Sequence, residues 1–268
     1  MPRIKAGPIS LNYEIHGAGE PLLLIMGFAM PGALWKPQLK RLADFKCIIY
    51  DNRGTGESDR PDEPVYQVPT MADDASNLLN VLGIPRAKIF GVSMGGMIAQ
   101  ELTLRHPEQV EKAVLGCTIP GGPHSKLGTD ARLVAAVEGM REFAGDPERA
   151  FDKIMPMFSP PEVWAARPEL RAEIIAALKS ARWSPPETFD RAMAGIIQFD
   201  AYERLGQIKC PVLIVHGDQD IGVPVENART LKSRIPHAEL FIVRGAGHHL
   251  EAADPDAVLS RVGSWLQT

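Results

Sequence analysis

The chain has 268 residues, a formal charge of −4 and a pI near 6.0, with 23% of its residues charged. That balance excludes the basic footprint of a nucleic-acid binder and the cationic patches that seek anionic membranes, while the length suffices for one large α/β domain with a sizeable core. Cys47, Cys117 and Cys210 lie far apart beside apolar runs and read as buried reduced thiols, no apolar run approaches the roughly 18–20 residues that span a bilayer, and MPRIKAGPIS lacks the apolar stretch of a secretory signal, so the expectation is a cytoplasmic protein without a membrane partner.

The first predicted elements are strands. Leu11, Tyr13 and Ile15 alternate with Asn12, Glu14 and His16, the pattern of a half-buried antiparallel strand. After a turn over Gly17–Glu20, Pro21–Met26 is a continuous apolar run, as in a strand covered on both faces. It ends in Gly27-Phe28-Ala29, and a helix is predicted over Trp35–Ala43. Cys47–Tyr50 is a second buried strand, followed by the polar, glycine-rich run Asp51–Ser58. That loop has neither the Walker lysine pattern nor the three-glycine dinucleotide spacing, so Asp51 and Arg53 are expected to brace it through hydrogen bonds to backbone. From Thr70 the residues Met71, Ala75, Leu78, Leu79 and Leu82 form a helical stripe, with Thr70 and Asp73 able to cap its start and Gly83 with Pro85 to stop it.

The stretch Ile89–Gln100, IFGVSMGGMIAQ, organises the rest. A strand over Lys88–Val92 runs into Gly91-Val92-Ser93-Met94-Gly95, a G-x-S-x-G pattern, and Met94, Ile98 and Leu102 then recur on one helical face. Gly91 and Gly95 leave room for Ser93 to sit on a sharp, strained turn, and the Met94 amide lies where unpaired helix N–H groups favour negative charge. An ordinary serine in a glycine-rich turn satisfies the same pattern, so the wider context has to decide. Lys112–Cys117 is a further buried strand, and the strand–helix rhythm implies a mostly parallel sheet with helices on both faces, whose sites lie at the carboxyl ends of the strands.

Residues 119–207 break the rhythm. They hold many prolines and several helical stripes, among them Leu133, Val134, Val137 and Met140, but no buried strand, and they read as a helical insertion above the sheet. Strands resume at Pro211–His216 and Glu239–Val243, and a final helix carries Val258, Leu259, Val262, Trp265 and Leu266. Two polar groups follow those last strands: Gly217-Asp218-Gln219-Asp220, and Gly245-Ala246-Gly247-His248-His249. A serine hydroxyl is a poor nucleophile unless an imidazole, itself held in one tautomer by a carboxylate, takes its proton. Serine, acid and histidine thus all stand at predicted strand ends. On spacing alone Asp218 competes with Asp220 and His249 with His248. His216, inside a strand, reads as a packed histidine, and His16, His106, His124 and His237 as surface or loop residues. The cysteines have no metal-ligand spacing, and neither a metal nor a cofactor is expected.

Over essentially its whole length the sequence resembles the α/β-hydrolase superfamily, most closely its esterase, enol-lactonase and cofactor-free haloperoxidase branch. The likeness rests on Gly91–Gly96, on Asp51, Arg53, Gly54, Gly56 and Ser58, on Gly217, Asp218 and Asp220, and on Gly245, Gly247 and His248 with Pro255 seven positions beyond. The resemblance implies a core over residues 1–118 and 208–268 with a helical cap over 119–207. It implies Ser93 as nucleophile, His248 as general base, Asp220 as the orienting acid, and the amides of Phe28 and Met94 as the oxyanion hole. The family commonly carries histidine before the glycine of the first oxyanion loop; here Met26 stands there, so the side-chain bond that the histidine would make under the loop is missing. Cleavage of an ester or lactone is the implied activity. Carbon–carbon hydrolysis, acyl transfer and perhydrolysis use the same three residues, and a hydrolase-like receptor would keep the pocket with feeble turnover. Met155, Met157, Phe158, Trp164 and Trp183 are candidates to line an apolar substrate pocket or to form the cap's own core, and the apolar cap surface is a candidate homodimer contact.

Overall fold

The computed structural model describes residues 2–128, 146–180, 182 and 184–268. The predicted stripe at 133–140 and Trp183 lie outside the described residues, as does the side chain of Met157. Eight strands, β1 (Arg3–Ala6), β2 (Ile9–His16), β3 (Glu20–Ile25), β4 (Phe45–Tyr50), β5 (Ala87–Val92), β6 (Val110–Gly116), β7 (Val212–Gly217) and β8 (Glu239–Val243), form one sheet in the order β1-β2-β4-β3-β5-β6-β7-β8. β1 and β2 join antiparallel at one edge, and every pairing from β4 to β8 is parallel.

The continuous apolar runs become central strands because both faces are covered. In β3, Leu23 and Ile25 pack into one core and Leu22 and Leu24 into the other; in β7, Val212 and Ile214 separate from Leu213 and Val215 in the same way. Helices α1 (Val68–Val81) and α2 (Met94–Arg105) supply the first core with Met71, Leu78, Leu79, Ile98 and Leu102. The C-terminal helix Pro255–Gln267 supplies the second with Val258, Leu259, Val262 and Trp265. Burying one such aliphatic side chain is worth about 1.5–3 kcal/mol, so the layers on the two faces are a main source of the sheet's stability.

Several predicted details are corrected. The first helical segment is a 3-10 helix over Gly32–Arg41, starting before Trp35, because Pro37 lies inside it and has no N–H for an α ladder. α1 begins at Val68 with Pro69 in its first turn and no side-chain cap; Thr70 and Asp73 therefore lie inside the helix, and Asp73 pairs with Arg105 and His106 instead. α2 is buried almost all round, from Met94 to Thr103, rather than along one stripe. In β2 the expected alternation is imperfect: Ile15 is exposed while Asn12 is buried and donates from Nδ2 to Asp51 Oδ2 at 2.8 Å. Cys210 is only partly buried.

Between β6 and β7 the described residues form the helices Pro147–Phe158, Pro161–Ala165, Pro168–Lys179 and Pro186–Gln198, each with proline in its first turn. Their inner faces make a third core of Phe151, Met155, Trp164, Leu170, Ile174 and Phe189, which also takes in Ala29 from the loop after β3 and Ala252 from the short helix Leu250–Ala253. Among the described residues no helix is long and apolar enough to cross a membrane.

Candidate active site

Ser93 joins β5 to α2 with φ 56° and ψ −122°, a region that side chains other than glycine rarely occupy, at a cost of about 1–3 kcal/mol. The surroundings hold it there. Its N–H donates to the Gly116 carbonyl at 2.8 Å, and its own carbonyl accepts from Thr118 Oγ1 at 2.8 Å and the Gly96 amide at 2.9 Å. A Cβ on Gly91 would strike the carbonyl oxygen of Gly95, and one on Gly95 would strike that of Ile25, so the turn closes only around two glycines. Ser93 itself is half-buried at the carboxyl end of the sheet.

The Gly27-Phe28-Ala29 loop comes against this turn from β3. A Cβ on Gly27 would lie 3.1 Å from Ser93 Cβ and 3.6 Å from its Oγ, which puts Phe28 one residue beyond that contact, while Met94 directly follows Ser93. The loop needs support, since Ala29 also has a positive φ of 56°. Asn52 Nδ2 donates to the Met26 carbonyl at 3.1 Å, and Asp51 Oδ1 accepts from the Gly32 amide at 2.8 Å. Asn52 was not singled out in the sequence. The signal for it is Met26 itself: with no histidine under the loop, a polar residue at the end of the neighbouring strand has to hold it. Asp51 braces backbone as expected, through Gly32 and Glu57. Arg53 does not. Its guanidinium, buried, makes a two-pronged pair with Asp74 at 2.6 and 2.9 Å and reaches Glu63 at 2.7 Å, because a buried cation requires carboxylates rather than carbonyls to offset its desolvation.

The acid and histidine loops interlock at the ends of β7 and β8. Gly217 has no room for a Cβ against the carbonyls of Ala246 and Gly247, the Gln219 amide donates to Ala246 O at 2.9 Å, and Asp218 Oδ1 accepts from the Gly245 amide at 2.7 Å. Asp218 thus clips the two loops together and is exposed. Asp220 is buried and faces His248, with Oδ2 and Nδ1 2.6 Å apart, while its Oδ1 accepts from the amides of Gly222 and Val223 at 2.9 and 2.8 Å. Burial opposes ionisation of Asp220, but the charge and hydrogen bond of His248 and the Val223 amide outweigh it and hold the carboxyl below its ordinary range.

His249 points elsewhere: its ring meets Trp164 edge-on at 5.3 Å. His216 is packed, as expected, yet it is not remote. Its Nε2 lies 2.7 Å from the Val223 carbonyl and 3.6 Å from Asp220 Oδ2, and burial keeps its pKa below the ordinary value. His16 pairs with Glu14, His106 with Asp73, His124 stacks on Tyr202 and His237 meets the Cys210 carbonyl. Burial pushes the thiol of Cys47 up to about 12 and that of Cys210 up to about 11, which leaves neither as a nucleophile at neutral pH. Cys117, His216 and Asp220 bring ligand-type atoms within 4.8 Å of one another although no metal-ligand spacing marks them in the sequence. Both oxygens of Asp220 and Nε2 of His216 already have the partners named above.

The pocket candidates part company. Met155 and Trp164 belong to the buried core of the inserted helices, with Trp164 Nε1 donating to the Met155 carbonyl at 2.9 Å. Phe158 is half-buried and its ring lies 5.2 Å from that of His248. Phe28 meets Phe189 edge-on at 4.4 Å.

Comparison with known proteins places the whole chain among relatives of known fold. The family model described as alpha/beta hydrolase fold matches residues 20–152 and 170–250. A relative from Caulobacter vibrioides named "Putative carbamate hydrolase RutD" is 32% identical over 275 residues, covering 100% of this chain and 99% of its own. A thermophilic esterase from Thermogutta terrifontis superposes with a TM-score of 0.80 at 26% identity, covering 100% of this chain and 98% of that one. An N-acyl homoserine lactone degrading enzyme does so with a TM-score of 0.77 at 29% identity, covering 98% and 100%. The family match spans most of the chain, and the chain belongs to the α/β hydrolases.

Proposed function

We propose that the chain is a serine hydrolase that cleaves carboxylic esters or lactones through an acyl-serine intermediate, with Ser93 as nucleophile, His248 as general base and Asp220 as the orienting acid. The observation that carries the reading is that a serine held at φ 56° and an imidazole whose Nδ1 lies 2.6 Å from a buried carboxylate both follow strands of one sheet at their carboxyl ends. With Nδ1–H donated to Asp220, Nε2 presents a lone pair to a hydroxyl. Ser93 Oγ attacks the acyl carbon as Nε2 takes its proton, and the oxyanion is held by the amides of Phe28 and Met94, each worth roughly 3–4 kcal/mol of barrier. Collapse breaks the acyl–oxygen bond and the imidazolium returns that proton to the leaving alcohol. Water then gives a proton to His248 and attacks the acyl carbon; the acid leaves and the proton returns to Ser93. The helices between β6 and β7 act as a cap over the site.

The kinship with a protein named as a carbamate hydrolase supports a second reading of the same site. A carbamate offers the same acyl carbon, bearing nitrogen in place of carbon, and needs no further residue for attack. The test is Ser93→Ala assayed against p-nitrophenyl acetate, a lactone and a carbamate, with fluorophosphonate labelling of the parent protein. Turnover of the preferred class falls by about 10⁴-fold or more, and the label maps to Ser93. Undiminished turnover in a folded Ser93→Ala protein would falsify the covalent mechanism.

A further inference from the structure

We propose that Phe158 is a positioning residue for His248, so that the segment between β6 and β7 seats the general base as well as covering the site. The inference rests on the serine-hydrolase reading above. A hydrogen bond at one ring nitrogen fixes a vertex of the imidazole and its tautomer, whereas the ring plane is set by what packs on its face. Asp220 supplies the first of these at Nδ1. Phe158 supplies the second, its ring 5.2 Å from the imidazole and inclined by 34°.

The contact is not incidental, because the backbone around it is joined to the histidine loop at several points. The Phe158 carbonyl accepts from the His249 amide at 3.1 Å, one residue from the imidazole in question. Ser159 Oγ lies 2.8 Å from the Phe158 carbonyl and 3.4 Å from that of His249. Gly247 is a glycine for this reason: a Cβ there would strike the Phe158 carbonyl and come within 2.9 Å of Ser159 Cα. Two further ties follow, from the Trp164 ring to His249 at 5.3 Å and from Arg167 Nη2 to the Ala253 carbonyl at 2.8 Å. The ring that the sequence offered as a pocket wall thus stands against the catalytic imidazole, on a backbone clamped to residues 247–249. A displacement of the inserted helices moves the base with them.

The experiment compares Phe158→Ala, Phe158→Leu and Gly247→Ala with the parent on p-nitrophenyl acetate, butyrate and octanoate. Each protein is also followed by thermal melting and by its rate of fluorophosphonate labelling. Positioning predicts that Phe158→Ala lowers kcat at least 10-fold by the same factor on all three esters, with KM changed less than threefold and labelling slowed in parallel. Phe158→Leu, which keeps an apolar contact, recovers part of the loss. Gly247→Ala, which removes no side chain but forces the Phe158 backbone away from the histidine loop, reproduces it, and Phe158→Ala combined with Gly247→Ala falls no further than the worse single one. The proposal is overturned if Phe158→Ala keeps its kcat on the acetate and only KM for the longer esters rises, which would make Phe158 an acyl-pocket wall. If Phe158→Ala does not fold, the other two variants decide by the same readouts. A Ser93→Ala protein that retained turnover would remove the underlying mechanism, a result distinct from any of these.

Discussion

The serine turn and the histidine loop solve the same problem, holding one reactive side chain still, by opposite means. Ser93 is locked from within by its own neighbours: the glycines at 91 and 95 allow backbone to meet backbone, and β6 supplies the hydrogen bond to its amide. His248 is held from outside, by a carboxylate 28 residues earlier in the chain and by Phe158, 90 residues earlier, at the end of an inserted helix. The first arrangement resists perturbation until it fails altogether. The second can be loosened by degrees, which on the proposed mechanism makes the base rather than the nucleophile the adjustable member of the site.

The largest expected effect falls on the locked side. Gly91→Ala forces a methyl group into the Gly95 carbonyl between strand and helix, where neither backbone can yield. The expected destabilisation is about 3 kcal/mol or more, read as a fall in denaturation midpoint or loss of soluble protein. A midpoint within error of the parent would show that the turn is not closed by backbone contact.

An intermediate effect falls on the histidine side. Asp220→Asn keeps the shape but presents the wrong hydrogen-bonding pattern to Nδ1, and turnover should fall by roughly 10³–10⁴-fold, with the melting temperature much less affected. If Asp218→Asn did this and Asp220→Asn did not, the two acids would have to exchange roles. As a stability effect the sign is also set: the Asp220 carboxyl is held low in the folded chain, so its contribution is present above the ordinary carboxylate range and is lost as pH falls toward its folded value.

The smallest effect concerns His216, beneath the acid loop. Its pKa is below the ordinary 6.5 in the folded protein because burial disfavours the cation. As pH drops below that value the unfolded chain gains a proton that the folded chain refuses, so stability declines with acid in that window. His216→Gln can still donate to the Val223 carbonyl but cannot titrate. Melting temperatures recorded between pH 7 and 5 should therefore fall less steeply than in the parent, and an unchanged slope would mean that His216 does not govern it.

The backbone frame of the candidate site is legible in the sequence. The serine turn could be read because its requirements are local: a strand end, two glycines and a helix start within a dozen residues. The bracing of backbone by Asp51 was legible from its place in the polar loop after β4. Arg53 was misread because its partner, Asp74, sits on a helix that the loop meets only in the fold. Asn52 was missed because the carbonyl it holds, that of Met26, lies on another strand. The nearness of Phe158 to the His248 ring was not foreseen, because aromatic residues in an inserted helix carry no pattern that separates a wall from a support.

Alone, then, the order of residues determined which segments become buried parallel strands, where the backbone must bend around Ser93, and that an acid and a histidine end two later strands. Those properties depend on hydrophobic runs and on steric limits that act over a few residues. Only the packed molecule decided that Asp220 rather than Asp218 meets His248, that Arg53 turns to carboxylates, and that the Phe158 ring comes to 5.2 Å from that of His248. Each of these is a choice between side chains of similar local character. It is settled by which distant surface arrives first at van der Waals distance and which buried charge finds a partner.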